Sequence, residues 1–168
     1  MKSAAIKQLP KRERPANLRG FDRSLPMSLL RAREAVMKEF IPSLKEFGLT
    51  PQQWRVIRSL EQHGEQPLGK LAENCFLLMP SLSRIVQNLE AREFVSRKAV
   101  AGDQRSSMIV LSASGKDLFK RIAPRSAERY NRITERFGYG KLELLYELLE
   151  ELVERLDDEQ ELLDSRSN

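Results

Sequence analysis

The hydrophobic period of this chain is interrupted in one stretch, and that interruption constrains the fold more than any other feature. Before about residue 92 and after about residue 113, apolar residues recur at helical spacing. Between them "FVSRKAV" and "SSMIVLS" are Val-, Ile- and Ser-rich runs joined by the Gly-Asp turn of "AGDQR". This segment predicts a β-hairpin whose tip carries Asp103, Gln104 and Arg105. The expected fold class is mainly α with a small β-wing.

The helices announce their ends. A first one is expected from Ser24-Leu25-Pro26, where the proline's missing N–H costs little, to about Phe47 before Gly48. Pro42 inside it should kink it. "LTPQQWRVIRSLEQHGE" is the clearest start: Thr50 caps, Pro51 takes the first helical position and Gln53 completes a capping box. That helix should stop at Gly64, and a short extended piece, "EQPL", follows. Two short helices come next, about Leu68–Cys75 and Pro80–Arg92, separated by "FLLM". After the hairpin, Ser112 and Ser114 mark a helix from about Ala113 to Phe137, interrupted or bent at Pro124. A last helix covers about Lys141–Leu163. Its Leu142, Leu145, Leu149, Leu152, Leu156 and Leu163 follow a 3-4 spacing, widened by Tyr146, Leu148, Val153 and Leu162. The stripe is wide enough to pack within the chain, against a second copy, or both.

The net charge of +5 hides a gradient: +5 over residues 1–23, +7 over 24–140 and −7 over 141–168. A basic body with an acidic last helix hints at a polyanion partner. With 168 residues the chain fits one domain with terminal arms. No run approaches ~18 apolar residues, so no membrane span is expected. The opening residues lack the apolar stretch of a secretory signal, and one Cys suits a reducing cytoplasm. One His and one Cys leave few zinc ligands, and no nucleophile–base pair or phosphate loop stands out. The chain is therefore expected to be no enzyme, with no cofactor and no metal site.

Helix, short helix, helix with a polar face, then a hairpin with a basic tip: this order describes a winged helix-turn-helix. On 81–92, Leu82, Ile85, Val86 and Leu89 form the buried stripe. Ser83, Arg84 and Gln87 lie opposite, flanked by Ser81 and Asn88. Small hydroxyls allow close approach to a duplex, Arg84 suits a guanine edge, and Gln87 or Asn88 suits adenine. Asp103, Gln104 and Arg105 at the wing tip, with Arg97 and Lys98 on the rising strand, would follow the backbone or the minor groove. Together these residues favour double-stranded DNA as the partner.

"LTPQQWRVIRSL", "LAENCFLLMPSLSRIVQNLEAREFVSRKAVAGDQRSSMIVLSASG" and the flanking helices resemble the MarR family of bacterial transcriptional regulators over about residues 22–160. "SLPMSLLRAREAVM" and "LTPQQWRV" narrow the resemblance to its homoprotocatechuate-degradation operon regulator branch. The resemblance implies a homodimer built from terminal helices, a pseudo-palindromic operator, and a phenolic or other aromatic carboxylic acid as effector, most simply as the inducer of a repressor. Before that family-like core, the polar, basic stretch punctuated by Pro10, Pro15 and Gly20 reads as a flexible arm. This gives an organisation of arm at 1–22, domain at 23–163 and tail at 164–168. Within that domain the winged part takes about 49–112, and dimerisation helices take about 24–47 and 113–163.

One cation stands apart. With Leu29 at 0° on the first helix, Arg33 falls at about 40°, between Phe40 and Leu44 on the apolar stripe. A cation there needs a partner. One resolution is an internal ion pair, which would suit a ligand-independent regulator or activator. The other is a ligand carboxylate held by Arg33, with Met27, Ser28, Leu30 and Trp54 as pocket wall. Trp54 also suits the core, Cys75 suits a small buried position, and His63 suits a helix C-terminus.

Overall fold

A computed structural model describes residues 20–100 and 103–166, with the side chains of 100, 103–106 and 158–166 outside the description. The expected arm at 1–22 lies mostly outside the described residues, as do Ala101, Gly102 and the last two residues. The helices are α1 (Leu25–Glu46), α2 (Pro51–His63), α3 (Leu68–Cys75), α4 (Met79–Ala91), α5 (Ala113–Phe137) and α6 (Tyr139–Arg166). The strands are β1 (Gln66–Pro67), β2 (Val95–Val100) and β3 (Asp103–Leu111). The architecture is mainly α with a small antiparallel sheet, as expected. Among the described residues, no helix is long and apolar enough to cross a membrane.

The chain divides between Ala35 and Val36 into two units. In the first, a 3-10 turn at Phe21–Arg23 leads into α1, closed by Arg23 N–H to Gly20 O at 2.9 Å. Ser28 Oγ donates to Ser24 O at 2.9 Å. Leu25, Leu29 and Leu30 are exposed.

The second unit holds the core. Trp54, Val56, Ile57 and Leu60 of α2, Leu71 and Cys75 of α3, and Leu82, Val86 and Leu89 of α4 meet there. Val95, Ile109 and Leu111 of the sheet and Leu118 and Ile122 of α5 close it. α2 begins as its sequence demands: Gln53 N–H donates to Thr50 Oγ1 at 3.2 Å and Thr50 N–H to Gln53 Oε1 at 2.9 Å. That reciprocal cap satisfies two donors that a helix end would otherwise leave open. α1 and α5 continue through Pro42 and Pro124, so neither proline ends its helix.

The sheet has three strands in the order β1-β3-β2, one more than the hairpin read from the sequence. Two-residue β1 is too short for an alternating pattern to reveal it. It is fixed by Gln66, which is buried and donates through Nε2 to Ser59 O (3.1 Å), while Asn74 Nδ2 donates to Gln66 Oε1 (2.6 Å). One glutamine thus ties α2, β1 and α3. Wing pairing keeps Val95 opposite Leu111 and Arg97 opposite Ile109, with a register shift between Ala99 and Val100.

Three helices end in the same closure. At α1, Leu49 N–H reaches Leu44 O and Gly48 N–H reaches Lys45 O, with Gly48 at φ 63°. α3 repeats it with Phe76 at φ 49°, and α4 repeats it with Glu93 at φ 60°. Glycine is the residue for that left-handed position, because a Cβ is penalised there. At Glu93 the conformation is secured by its carbonyl, which accepts from the hydroxyls of both Ser112 and Ser114. Arg92 adds a second tie, donating to Gly48 O at 2.9 Å and lying over Phe94.

Candidate functional site

Two places on the second unit combine geometry with chemistry. The first is the outward side of α4. Leu82, Val86 and Leu89 are buried and Ile85 is half-buried, which turns Ser81, Arg84 and Gln87 to solvent. Ser83 is half-buried beside them. Among the described residues Arg84 has no carboxylate partner. Asn88 is exposed, yet its Oδ1 accepts from Gln53 Nε2 at 2.7 Å. Gln53 therefore serves twice, capping α2 and bracing α4 against it.

On the wing, Arg97 pairs with Glu90 (3.2 Å) and Lys98 with Glu65 (3.0 Å), all at least partly solvated. Such exposed pairs contribute little to stability and exchange readily for a phosphate. The side chains of Asp103, Gln104 and Arg105 lie outside the described residues. Their backbone belongs to the start of β3, so they sit at the wing tip as the sequence predicted.

The second place is a cleft of about 300 Å³ between α1, α2, α3 and α5. Val36, Met37 and Phe40 come from α1, Trp54, Arg55, Arg58 and His63 from α2, and Tyr130 from α5. Its aromatic frame is coherent: Phe40 and Tyr130 pack at 5.0 Å with rings tilted by 59°, and Trp54 stacks on Phe119 at 5.5 Å. Arg58 Nη1 donates to Tyr130 Oη at 3.2 Å. Arg55 Nη1 is committed to Cys75 O at 2.7 Å. No residue lining the cleft is acidic, and Arg58 has no carboxylate partner among the described residues. An apolar, aromatic cleft with a guanidinium bonded to a phenol and free of carboxylate partners among the described residues fits a small aromatic acid.

Of the residues expected to form a ligand pocket, Trp54 lines this cleft. Arg33, Met27, Ser28 and Leu30 belong to the first unit. There Arg33 is half-exposed and bonds its neighbour Glu34 at 2.5 Å. Leu29 and Leu30 of the same unit are exposed. Arg58 was overlooked, although a signal existed: it stands four residues after Trp54 and so shares its face of α2. Tyr130 left no comparable trace, because only tertiary packing brings α5 to α2.

Cys75 is buried in the core. Burial pushes its thiol up, against the lowering effects of Ser59 and Arg55, so it stays protonated and inert at neutral pH. His63 ends α2, with Nδ1 against Ser59 O at 3.1 Å. No cluster of metal-ligating side chains occurs among the described residues.

Comparison with known proteins adds to this geometry. The sequence profile of the MarR family matches residues 49–107. The HTH-type transcriptional regulator FarR of Neisseria gonorrhoeae is 39% identical over 129 residues, which is 77% of this chain and 88% of that protein. The homoprotocatechuate degradative operon repressor of Escherichia coli is 37% identical over 130 residues, with the same coverage of 77% and 88%. Among solved structures, NadR in complex with 4-hydroxyphenylacetate aligns with a TM-score of 0.70 at 38% identity. That alignment covers 81% of this chain and 96% of NadR.

Proposed function

We propose a mode of action for this chain from one premise: it belongs to the MarR family of transcriptional regulators. It acts as a homodimeric repressor that grips a pseudo-palindromic DNA site and lets go when a small aromatic carboxylic acid fills the α1–α2–α5 cleft. The observation that carries this is the cleft itself, with aromatic walls and Arg58 at its edge, bonded to Tyr130 Oη and without a carboxylate partner among the described residues. One relative is named as the repressor of a homoprotocatechuate degradative operon, and NadR was solved holding 4-hydroxyphenylacetate. Both point to the same ligand chemistry.

Dimerisation rests on α6. Leu145, Leu148, Leu149, Val153 and Leu156 are all exposed on it, a stripe with no cover in the single chain. A second copy would bury it and supply the two-fold symmetry that a palindromic site mirrors. Ser81, Ser83, Arg84, Gln87 and Asn88 then face base edges. Arg97, Lys98 and the tip residues Asp103, Gln104 and Arg105 track the backbone. The link from cleft to DNA is short, because α2 lines the cleft and also holds α4 through the Gln53–Asn88 bond. An effector that draws α2 toward α5 shifts α4, and it releases DNA only if it binds that shifted arrangement more tightly.

A labelled duplex from the region upstream of the chain's own gene tests the scheme by fluorescence anisotropy. Added 4-hydroxyphenylacetate should release it. Unchanged DNA affinity across a panel of aromatic acids would instead favour a ligand-independent regulator, with Arg33–Glu34 as a structural pair. Arg84→Ala should weaken specific binding by roughly tenfold or more and relax discrimination at one base pair per half-site. Thermal melting of that variant should match wild type, since Arg84 is exposed.

A further inference from the structure

The turn between α3 and α4 presents apolar side chains to solvent: Phe76 is 91% exposed, Leu78 79% and Met79 45%. Between them Leu77 turns inward against the core and anchors the turn. Two of the exposed residues run against local chemistry. Phe76 holds the left-handed position that glycine takes at the equivalent end of α1. Unlike Glu93, it shows no side-chain tether on its carbonyl among the described residues. Leu78 is the N-cap of α4 and makes no capping bond, where Ser, Thr, Asp or Asn would satisfy a free amide. Neither side chain adds to the core. Asn at 76 and Ser at 78 would suit the fold better, so the apolar groups serve something outside it.

Their position names the occupant. They flank the amino end of α4 and run directly into Ser81 and the polar face that carries Arg84. When such a helix docks, its N-terminal residues are the ones that reach base edges. The major groove there offers hydrogen-bonding groups and one apolar group, the C5 methyl of thymine. We propose that Leu78 and Met79, flanked by Phe76, form an apolar surface that reads thymine methyls in each half-site. This rests on the reading of α4 as the DNA-recognition helix.

Deoxyuridine substitution tests it, because it deletes the methyl and leaves every hydrogen-bonding group. High-affinity duplexes are first selected from a random-sequence library with the full chain. Each half-site thymine is then replaced by deoxyuridine. A methyl that is read should cost wild type about fourfold in affinity when removed. Leu78→Ser and Phe76→Asn should bind the thymine duplex more weakly, lose the uridine penalty, and melt no lower than wild type. Equal wild-type affinity for both duplexes would overturn the proposal, as would variants that keep the penalty. A selection without sequence preference would remove the recognition-helix reading and this inference with it. DNA-free self-association that Leu78→Ser abolishes, with no uridine penalty in wild type, would assign the patch to a protein contact instead.

Discussion

Arg58→Leu is expected to weaken 4-hydroxyphenylacetate binding by about a hundredfold while leaving effector-free DNA affinity unchanged. Among the described residues neither cleft guanidinium has a carboxylate partner. Arg55 donates to Cys75 O, while Arg58, bonded to Tyr130 Oη and set near Phe40 and Trp54, is the proposed carboxylate anchor. Losing a hydrogen bond to a charged group costs about 1.5–3 kcal/mol, and each ~1.4 kcal/mol is a factor of ten. Tyr130→Phe removes one neutral hydrogen bond, worth about 1 kcal/mol, and should cost only several-fold. Arg33→Ala should change little, because Arg33 is half-exposed and paired with the adjacent Glu34. The chain's single tryptophan, Trp54, forms part of the wall, so ligand titrations are readable as a change in its fluorescence. Wild-type affinity in Arg58→Leu, or an equal loss in Arg33→Ala, would move the anchor elsewhere. Stability offers a control: Arg58 is exposed, and surface substitutions of that kind stay within about 0.5 kcal/mol.

The contrast between Arg58 and Arg33 shows how far the sequence reaches. Where local chemistry decides, the sequence is legible. Thr50 and Gln53 form the box they spell, Ser112 caps α5 through Gly115 N–H, and the buried stripe of α4 is the one its periodicity predicts. Where tertiary contact decides, it is not. β1 falls in the extended piece "EQPL", but it pairs because β3 offers it an edge and Gln66 finds Ser59 and Asn74, and that pairing leaves no two-residue signature. A helical wheel reports which residues share a face, not whether that face is covered within one chain. Whether the face that Arg33 shares is covered is not written in its spacing, and the aromatic wall beside Arg58 depends on α5 crossing α2. The polar face of α4 was legible as a face. Its brace, Gln53 to Asn88, joins residues far apart in sequence and needed coordinates.

Gly115→Ala is expected to be the most destabilising of the single-residue changes considered, by about 3 kcal/mol or more, since overpacking against an immobile neighbour reaches or exceeds the usual 1–3. Gly115 sits in the first turn of α5, pressed against the start of the wing. A Cβ there would lie 2.0 Å from Phe94 O, 3.0 Å from Phe94 C and 3.1 Å from Leu111 Cδ2. The first two are backbone atoms and have nowhere to go. Phe94 O accepts from Ser112 N–H at 3.1 Å, and the next residue, Val95, is buried and paired with Leu111. Relieving the clash means parting α5 from β2, which opens the core at Leu111 and Leu118 and tilts the wing relative to α4. Gly69 supplies the matched control. It lies in α3 with nothing within 4 Å of a new Cβ and no positive φ, so Gly69→Ala should be neutral or stabilising by up to about 1 kcal/mol. Denaturant unfolding at one fixed protein concentration compares the two, because the stability of the proposed dimer would vary with concentration. The Gly115→Ala midpoint should fall sharply with an unchanged slope, while the Gly69→Ala midpoint should hold or rise. A wild-type midpoint for Gly115→Ala would mean that α5 and the wing are not pressed together, and the wing contact proposed for DNA would lose its geometric basis.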